Sequence, residues 1–199
     1  MRIGVLGGTF DPIHLGHLAA AAAAADCAKL ARVIFVPSSS PPHRAAAVAP
    51  AERRLEMCRL AIDGEPGFEV SDVEVRRGGR SYTVDTLLEL RALHPSDEIF
   101  LILGWDAAKL FGSWREPDRV ASEATLVIVA RPRTDPPGAP ELKAAHIDPE
   151  RVVLCHRPTP DIAASSLRAA IAAGESIDGK VSPAVARYIA AHNLYTDNR

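Results

Sequence analysis

A doubly wound α/β fold, a parallel sheet covered by helices on both faces, is predicted by three observations. Short runs of β-branched and aliphatic residues (RIGVL, RVIFV, EIFLIL, TLVIV) alternate with stretches of helical composition. The first run ends on Gly7-Gly8, a sharp turn after a buried strand. The chain has 199 residues, of which 47% are hydrophobic, enough to bury a core without disulfides or metal.

Residues 2–6 read as the first strand. Asp11-Pro12 can open the next element, because proline is tolerated in a first helical turn. The alanine-rich stretch 17–31 is helical on propensity. Strand 32–36 and loop 37–43 follow, then a helix over 50–62, a strand over 68–75 and a helix over 83–93. Strands are expected at 98–103, 125–129 and 151–155, with a proline-rich loop at 131–140. Helices at 165–173 and 183–192 close the chain. The expected organisation is a single domain over 1–199, with 160–199 as a small helical C-terminal part. Ligands of such sheets sit beyond the strand C-termini, so the residues just after each strand carry the interest.

Composition excludes several classes. A formal net charge of -2 leaves no electrostatic footprint for nucleic acid or an anionic membrane. The alanine-rich run 18–28 is too short and too weakly apolar to span a bilayer. Cys27, Cys58 and Cys155 are odd in number and far apart, and read as reduced thiols of a soluble cytoplasmic protein. Lysines are confined to Lys29, Lys109, Lys143 and Lys180, so a catalytic cation other than a metal falls to Arg or His.

The string Gly7-Gly8-Thr9-Phe10-Asp11-Pro12-Ile13-His14-Leu15-Gly16-His17-Leu18 is the most informative segment. Glycines let backbone N–H groups approach a ligand closely, and a helix N-terminus favours anions. His14 and His17, three apart, share one face of a first turn, and Gly16 leaves that face open to a nucleotide. Imidazole donors and amides there would stabilise charge gathering on a phosphoryl group. A metal pair on a helix more often uses i, i+4 spacing with further ligands. The phosphate loop G-x-x-x-x-G-K-[ST] is absent, and G-x-G-x-x-G does not follow this strand.

The segment resembles the H-x-G-H signature of the cytidylyl- and adenylyltransferase superfamily. Further segments resemble its bacterial nicotinate-nucleotide adenylyltransferases. Pro41-Pro42-His43-Arg44 is similar to their P-P-H-[KR] loop, and Ser81-Tyr82-Thr83-Val84-Asp85-Thr86-Leu87 to S-Y-T-x-[DQ]-T-L. Gly104-Trp105-Asp106 followed by Trp114 is similar to G-x-D…W, and the run ending in Arg131-Pro132 to the R-P strand. Residues 161–168, with Ser165, Ser166 and Arg168, resemble I-S-[SA]-T-x-[IL]-R. Here the chain departs from the pattern, with Ala163 for the first serine and Ser165 for threonine, so one hydroxyl contact to phosphate is expected to be missing.

The resemblance implies a Rossmann-like sheet of the nucleotidyltransferase type that transfers AMP from ATP to nicotinate mononucleotide. It assigns ATP to Gly7, Gly8, Thr9, Phe10, Gly16, His43, Arg44, Gly104, Asp106, Ser165, Ser166 and Arg168, with His14 and His17 catalytic. The acceptor falls to Tyr82, Thr83, Asp106, Trp114 and Arg131. Two plainer readings stay open: Ser81 or Thr83 as a helix cap, and Trp114 as core packing. Mg²⁺ is expected to arrive on the ATP phosphates, without a dedicated protein site. Nicotinamide mononucleotide and phosphopantetheine are rival acceptors, a non-catalytic nucleotide-binding regulator is a rival class, and a homodimer is left open.

Overall fold

The computed structural model describes residues 1–40, 47–130, 137–157 and 159–196. Six parallel strands form one sheet: β1 (Arg2–Gly8), β2 (Arg32–Pro37), β3 (Phe68–Val70), β4 (Glu98–Gly104), β5 (Thr125–Val129) and β6 (Val152–Cys155). Their order is β3-β2-β1-β4-β5-β6, so the sheet grows outward in both directions from the β1/β4 pair. That reversal leaves a crevice at the strand C-termini, the place where such sheets take ligands.

The period of two along each strand builds two cores, one on each face. Leu6, Val33, Phe35, Phe100, Ile102, Val127 and Val129 point to the face covered by α1 (Leu15–Ala28), α2 (Ala51–Ile62), α8 (Ala164–Ala172) and α9 (Pro183–Ala191). Ile3, Val5, Ile34, Val36, Leu101, Leu103, Leu126 and Ile128 point to the other, toward α3 (Val73–Arg77), α4 (Thr83–Leu93), α6 (Pro117–Glu123) and α7 (Ala139–Ala144). Continuous apolar runs are what a sheet buried on both sides requires.

Several expected boundaries change. The first helix begins at Leu15 rather than 17 and stops at Ala28, where Lys29 turns into the left-handed region at φ 53°. The strand expected over 68–75 is cut to Phe68–Val70. The Ser71 amide still donates to Phe35 O, but the chain then leaves the sheet edge and coils into α3, turning Val73 and Glu74 inward. Four short pieces had no prediction: α5 (Trp105–Ala108), a 3₁₀ turn at Phe111–Ser113, α6 and α7. The expectation of three reduced thiols is corrected, because Cys27 and Cys155 are joined as a disulfide and Cys58 alone is free and buried. The end of α1 packs beside the end of β6, which brings together two cysteines that lie 128 residues apart. Among the described residues no helix is long and apolar enough to cross a membrane.

Candidate active site

β1 delivers Gly7, Gly8 and Thr9 to the crevice, and the following turn carries the chain over to α1. Phe10 sits in that turn at φ 49° with its ring buried, and meets the His17 ring edge-on at 4.9 Å. The Asp11-Pro12 peptide is cis. His14 is the N-cap residue of α1, in extended geometry, and His17 occupies the third helical position. Their rings stack at 3.7 Å with planes 22° apart. The His14 backbone N–H donates to His17 Nδ1 at 3.2 Å. A nitrogen that accepts cannot also carry the proton, so the neutral His17 ring carries it on Nε2.

Gly16 lies where close neighbours leave no room for a side chain. A Cβ there would lie 3.0 Å from His14 Nδ1 and 3.3 Å from the Pro160 carbonyl. Its missing side chain therefore admits the His14 ring and the segment before α8. By contrast, a Cβ on Gly7 or Gly104 would meet nothing within 4 Å, so both face open space where a ligand can reach the backbone.

Beside the β1 end, on the face of α3 and α4, lies a cavity of about 210 Å³. Gly7, Gly8 and Thr9 form one wall; Tyr82, Thr83, Asp106 and Trp114 line the remainder with Ser38, Glu74 and Arg115. Trp114 is half-buried against Phe111 at 5.6 Å between centroids and still borders the cavity, while Trp105 is buried in the core. Core packing and cavity lining are thus divided between the two tryptophans. Asp106 stands exposed in the first turn of α5, 3.7 Å from Lys109 Nζ. Tyr82 is the N-cap of α4 and makes no side-chain cap hydrogen bond. The expected cap by Ser81 or Thr83 is corrected: Ser81 Oγ is engaged by the Ser39 amide at 2.9 Å. An uncapped first turn keeps its amides available to an anion.

The structure separates the predicted residues into two groups. His14, His17, Ser165, Ser166 and Arg168 belong to the starts of α1 and α8, on the opposite side of the sheet from the cavity. Ser165 and Ser166 are exposed, whereas Arg168 donates from Nη1 to Asp11 O at 2.7 Å and lies 3.7 Å from Asp11 Oδ2. His43, Arg44 and Arg131 lie outside the described residues.

Sequence reasoning missed a set of buried polar groups behind the site. The Asp11 carboxylate, 4% exposed, accepts from the Val48 and Ala49 amides and from the Tyr195 hydroxyl. Burial, with Asp11 adding to it, raises the Tyr195 phenol above its ordinary value. Glu74 is buried at the cavity floor, where desolvation lifts its carboxyl against hydrogen bonds from Ser81 and Thr86. Arg54 is 1% exposed on α2, and burial lowers its pKa while Asp11 compensates. The available signal was position: Arg54 falls on the same helical stripe as Cys58 and Ala61, where a solvent-facing residue does not belong.

A family model described as cytidylyltransferase-like matches residues 5–170. The "Probable nicotinate-nucleotide adenylyltransferase" of a Thermus thermophilus strain is 47% identical over 195 residues, spanning 98% of this chain and 100% of the relative. The protein of the same name from Symbiobacterium thermophilum is 44% identical over 198 residues, spanning 98% and 95%. Among solved structures, Plasmodium falciparum nicotinic acid mononucleotide adenylyltransferase complexed with NaAD matches with a TM-score of 0.78 at 21% identity. That match spans 98% of this chain and 97% of that chain, a likeness in fold.

Proposed function

The chain belongs to the cytidylyltransferase-like family, among its nicotinate-nucleotide adenylyltransferases, and from that membership we infer that it joins ATP to nicotinate mononucleotide. The products are nicotinate adenine dinucleotide and pyrophosphate, in NAD biosynthesis. A phosphate oxygen of the acceptor attacks the α-phosphorus of ATP in line. A new P–O bond forms there as the bond to the bridging oxygen breaks, and pyrophosphate leaves with that electron pair.

The observation that carries this reading is the two-sided site at the end of β1. Stacked His14 and His17 rings lie on one side and the cavity of Thr83 and Trp114 on the other, with Gly8 and Thr9 between. ATP lies over the glycines with its phosphates toward the histidines, and His17 Nε2–H is directed at charge developing on the α-phosphoryl oxygens. The pyridine ring stacks on Trp114, and its carboxylate meets the uncapped amides at the start of α4. Ser165, Ser166 and Arg168 take the leaving end, with Arg168 held in place by Asp11. No side chain becomes covalently attached; positioning and charge stabilisation do the work.

Among the described residues no group of His, Cys, Asp and Glu is placed to hold a metal ion. Mg²⁺ enters this reading as the counter-ion that ATP brings on its own phosphates.

The test is turnover by the purified chain supplied with ATP, Mg²⁺ and nicotinate mononucleotide. Equal amounts of pyrophosphate and the dinucleotide are expected. Nicotinamide mononucleotide and phosphopantetheine, run in parallel, should be poorer acceptors. Product from neither pyridine nucleotide would refute the assignment.

A further inference from the structure

A fully buried guanidinium on a helix of a small enzyme needs a reason other than stability. An apolar side chain of Arg54's volume would fill the same space without taking a charge out of water. The contacts of Arg54 suggest the reason. Each of its three nitrogens donates to a main-chain carbonyl of a different stretch: Nε to Ala49 O at 3.0 Å, Nη1 to Thr9 O at 2.6 Å, Nη2 to Ser39 O at 3.1 Å. Asp11 supplies the balancing charge.

One of those carbonyls belongs to the wall of the site, and a second belongs to a segment tied to the start of α4. Thr9 borders the cavity at the end of the glycine turn. Ser39 follows β2, and its own amide donates to Ser81 Oγ at 2.9 Å. The Ser81 hydroxyl passes on to Glu74, whose carboxylate also receives Thr86 Oγ1. Ser81 and Thr86 bracket the first turn of α4, where the acceptor's carboxylate is placed by the reading above. A chain of hydrogen bonds thus runs from behind the nucleotide turn to behind the acceptor helix, and Arg54 is where it starts.

We propose that Arg54 is a positioning residue that sets the registry between the two substrate sites, fixing Thr9 against Ser39 so that the acceptor phosphate meets the α-phosphorus in line. The inference rests on the adenylyl-transfer reading. Only a planar, three-armed donor reaches three carbonyls at once; an ammonium supplies the charge without the fork. Small displacements of reacting groups are expensive in rate, about 10²-fold for 1 Å, whereas each substrate alone tolerates them.

The experiment compares R54M and R54K with the parent chain. In both variants kcat should fall about 10-fold or more. The dissociation constants of ATP and of nicotinate mononucleotide, each titrated alone by calorimetry, should stay within about 3-fold of the parent's. Rescue of kcat by lysine would mean that charge, not geometry, is what matters, and would overturn the proposal. A folded R54M with parental kcat would overturn it too, leaving Arg54 as scaffold. If neither variant folds, S81A takes the test, because it cuts the link between Ser39 and Glu74; parental kcat there is again fatal. A parent chain that turns over no nicotinate mononucleotide brings down the functional reading and this proposal together. An active parent with unimpaired variants brings down this proposal alone.

Discussion

His17 shows how one hydrogen bond selects a chemical role. With Nδ1 accepting the His14 amide, the neutral ring carries its proton on Nε2, the donor that the adenylyl-transfer reading uses. His17→Ala should therefore lower kcat by roughly 10²-fold, the usual cost of a lost transition-state donor, in a steady-state pyrophosphate assay. Parental kcat would remove His17 from the reaction. Trp114→Ala should act on the acceptor, raising its KM several-fold and leaving the KM for ATP alone; unchanged acceptor kinetics would return Trp114 to the core. Glu74 gives a pH signature. Burial lifts its carboxyl above the ordinary 4.5, so the folded chain keeps that proton to higher pH than the unfolded chain does. The associated stability is complete below the unfolded value and is lost as pH rises through the folded one. Relative to Glu74→Gln, the parent should lose urea resistance as pH climbs out of the acid range toward neutrality; parallel midpoints across that range would contradict the sign. His14, His17, Thr83 and Trp114, which the fold gathers around the end of β1, were legible because they stand in short motifs just after strand ends. For Arg54 the only hint was its place on the apolar stripe of α2. Asp11, Glu74 and Tyr195 were not legible, because a charged or phenolic residue outside a long periodic helix gives no hint in sequence that it will be buried. Only the meeting of α2, the glycine turn and the chain end makes it so.

Among the elements, long periodic or strongly apolar segments were readable and short ones were not. The α4 helix and β5 strand fall where propensity and run length place them. The short helices α3, α5, α6 and α7 span seven residues or fewer, too few for a period of 3.6 to repeat twice. Residues 71–75 alternate like a strand, yet the ladder ends at Val70 because the chain turns away from β2 into α3, although β2 itself runs on to Pro37. Helix α9 offers a test of element stability. Ser182 caps it by accepting from the Val185 amide, with Pro183 in the first turn. Ser182→Ala should cost about 1 kcal/mol in urea unfolding. Activity should be preserved in that variant, since Ser182 touches neither side of the site; no change in the unfolding midpoint would show that the cap contributes nothing.

For the molecule as a whole, the fold class followed from alternation, but strand order did not, since no local pattern states which strands become neighbours. Nor could local patterns foresee that the chain end returns to the first turn. Tyr195 reaches Asp11 across a separation of 184 residues. Tyr195→Phe should lower stability by about 1–2 kcal/mol, because one of the donors around a buried carboxylate is lost. An unchanged urea midpoint would mean that water replaces the hydroxyl there.

The placement of the histidines and the cavity on opposite faces of the sheet has a consequence for how such an enzyme can diverge. Each half rests on its own apolar layer, with the crest of β1 as the watershed between them. On the adenylyl-transfer reading, substitutions that reshape the pocket around Trp114 should retune which pyridine is accepted while the histidine half goes undisturbed. A bisubstrate mimic, conversely, must carry a tether long enough to cross that ridge.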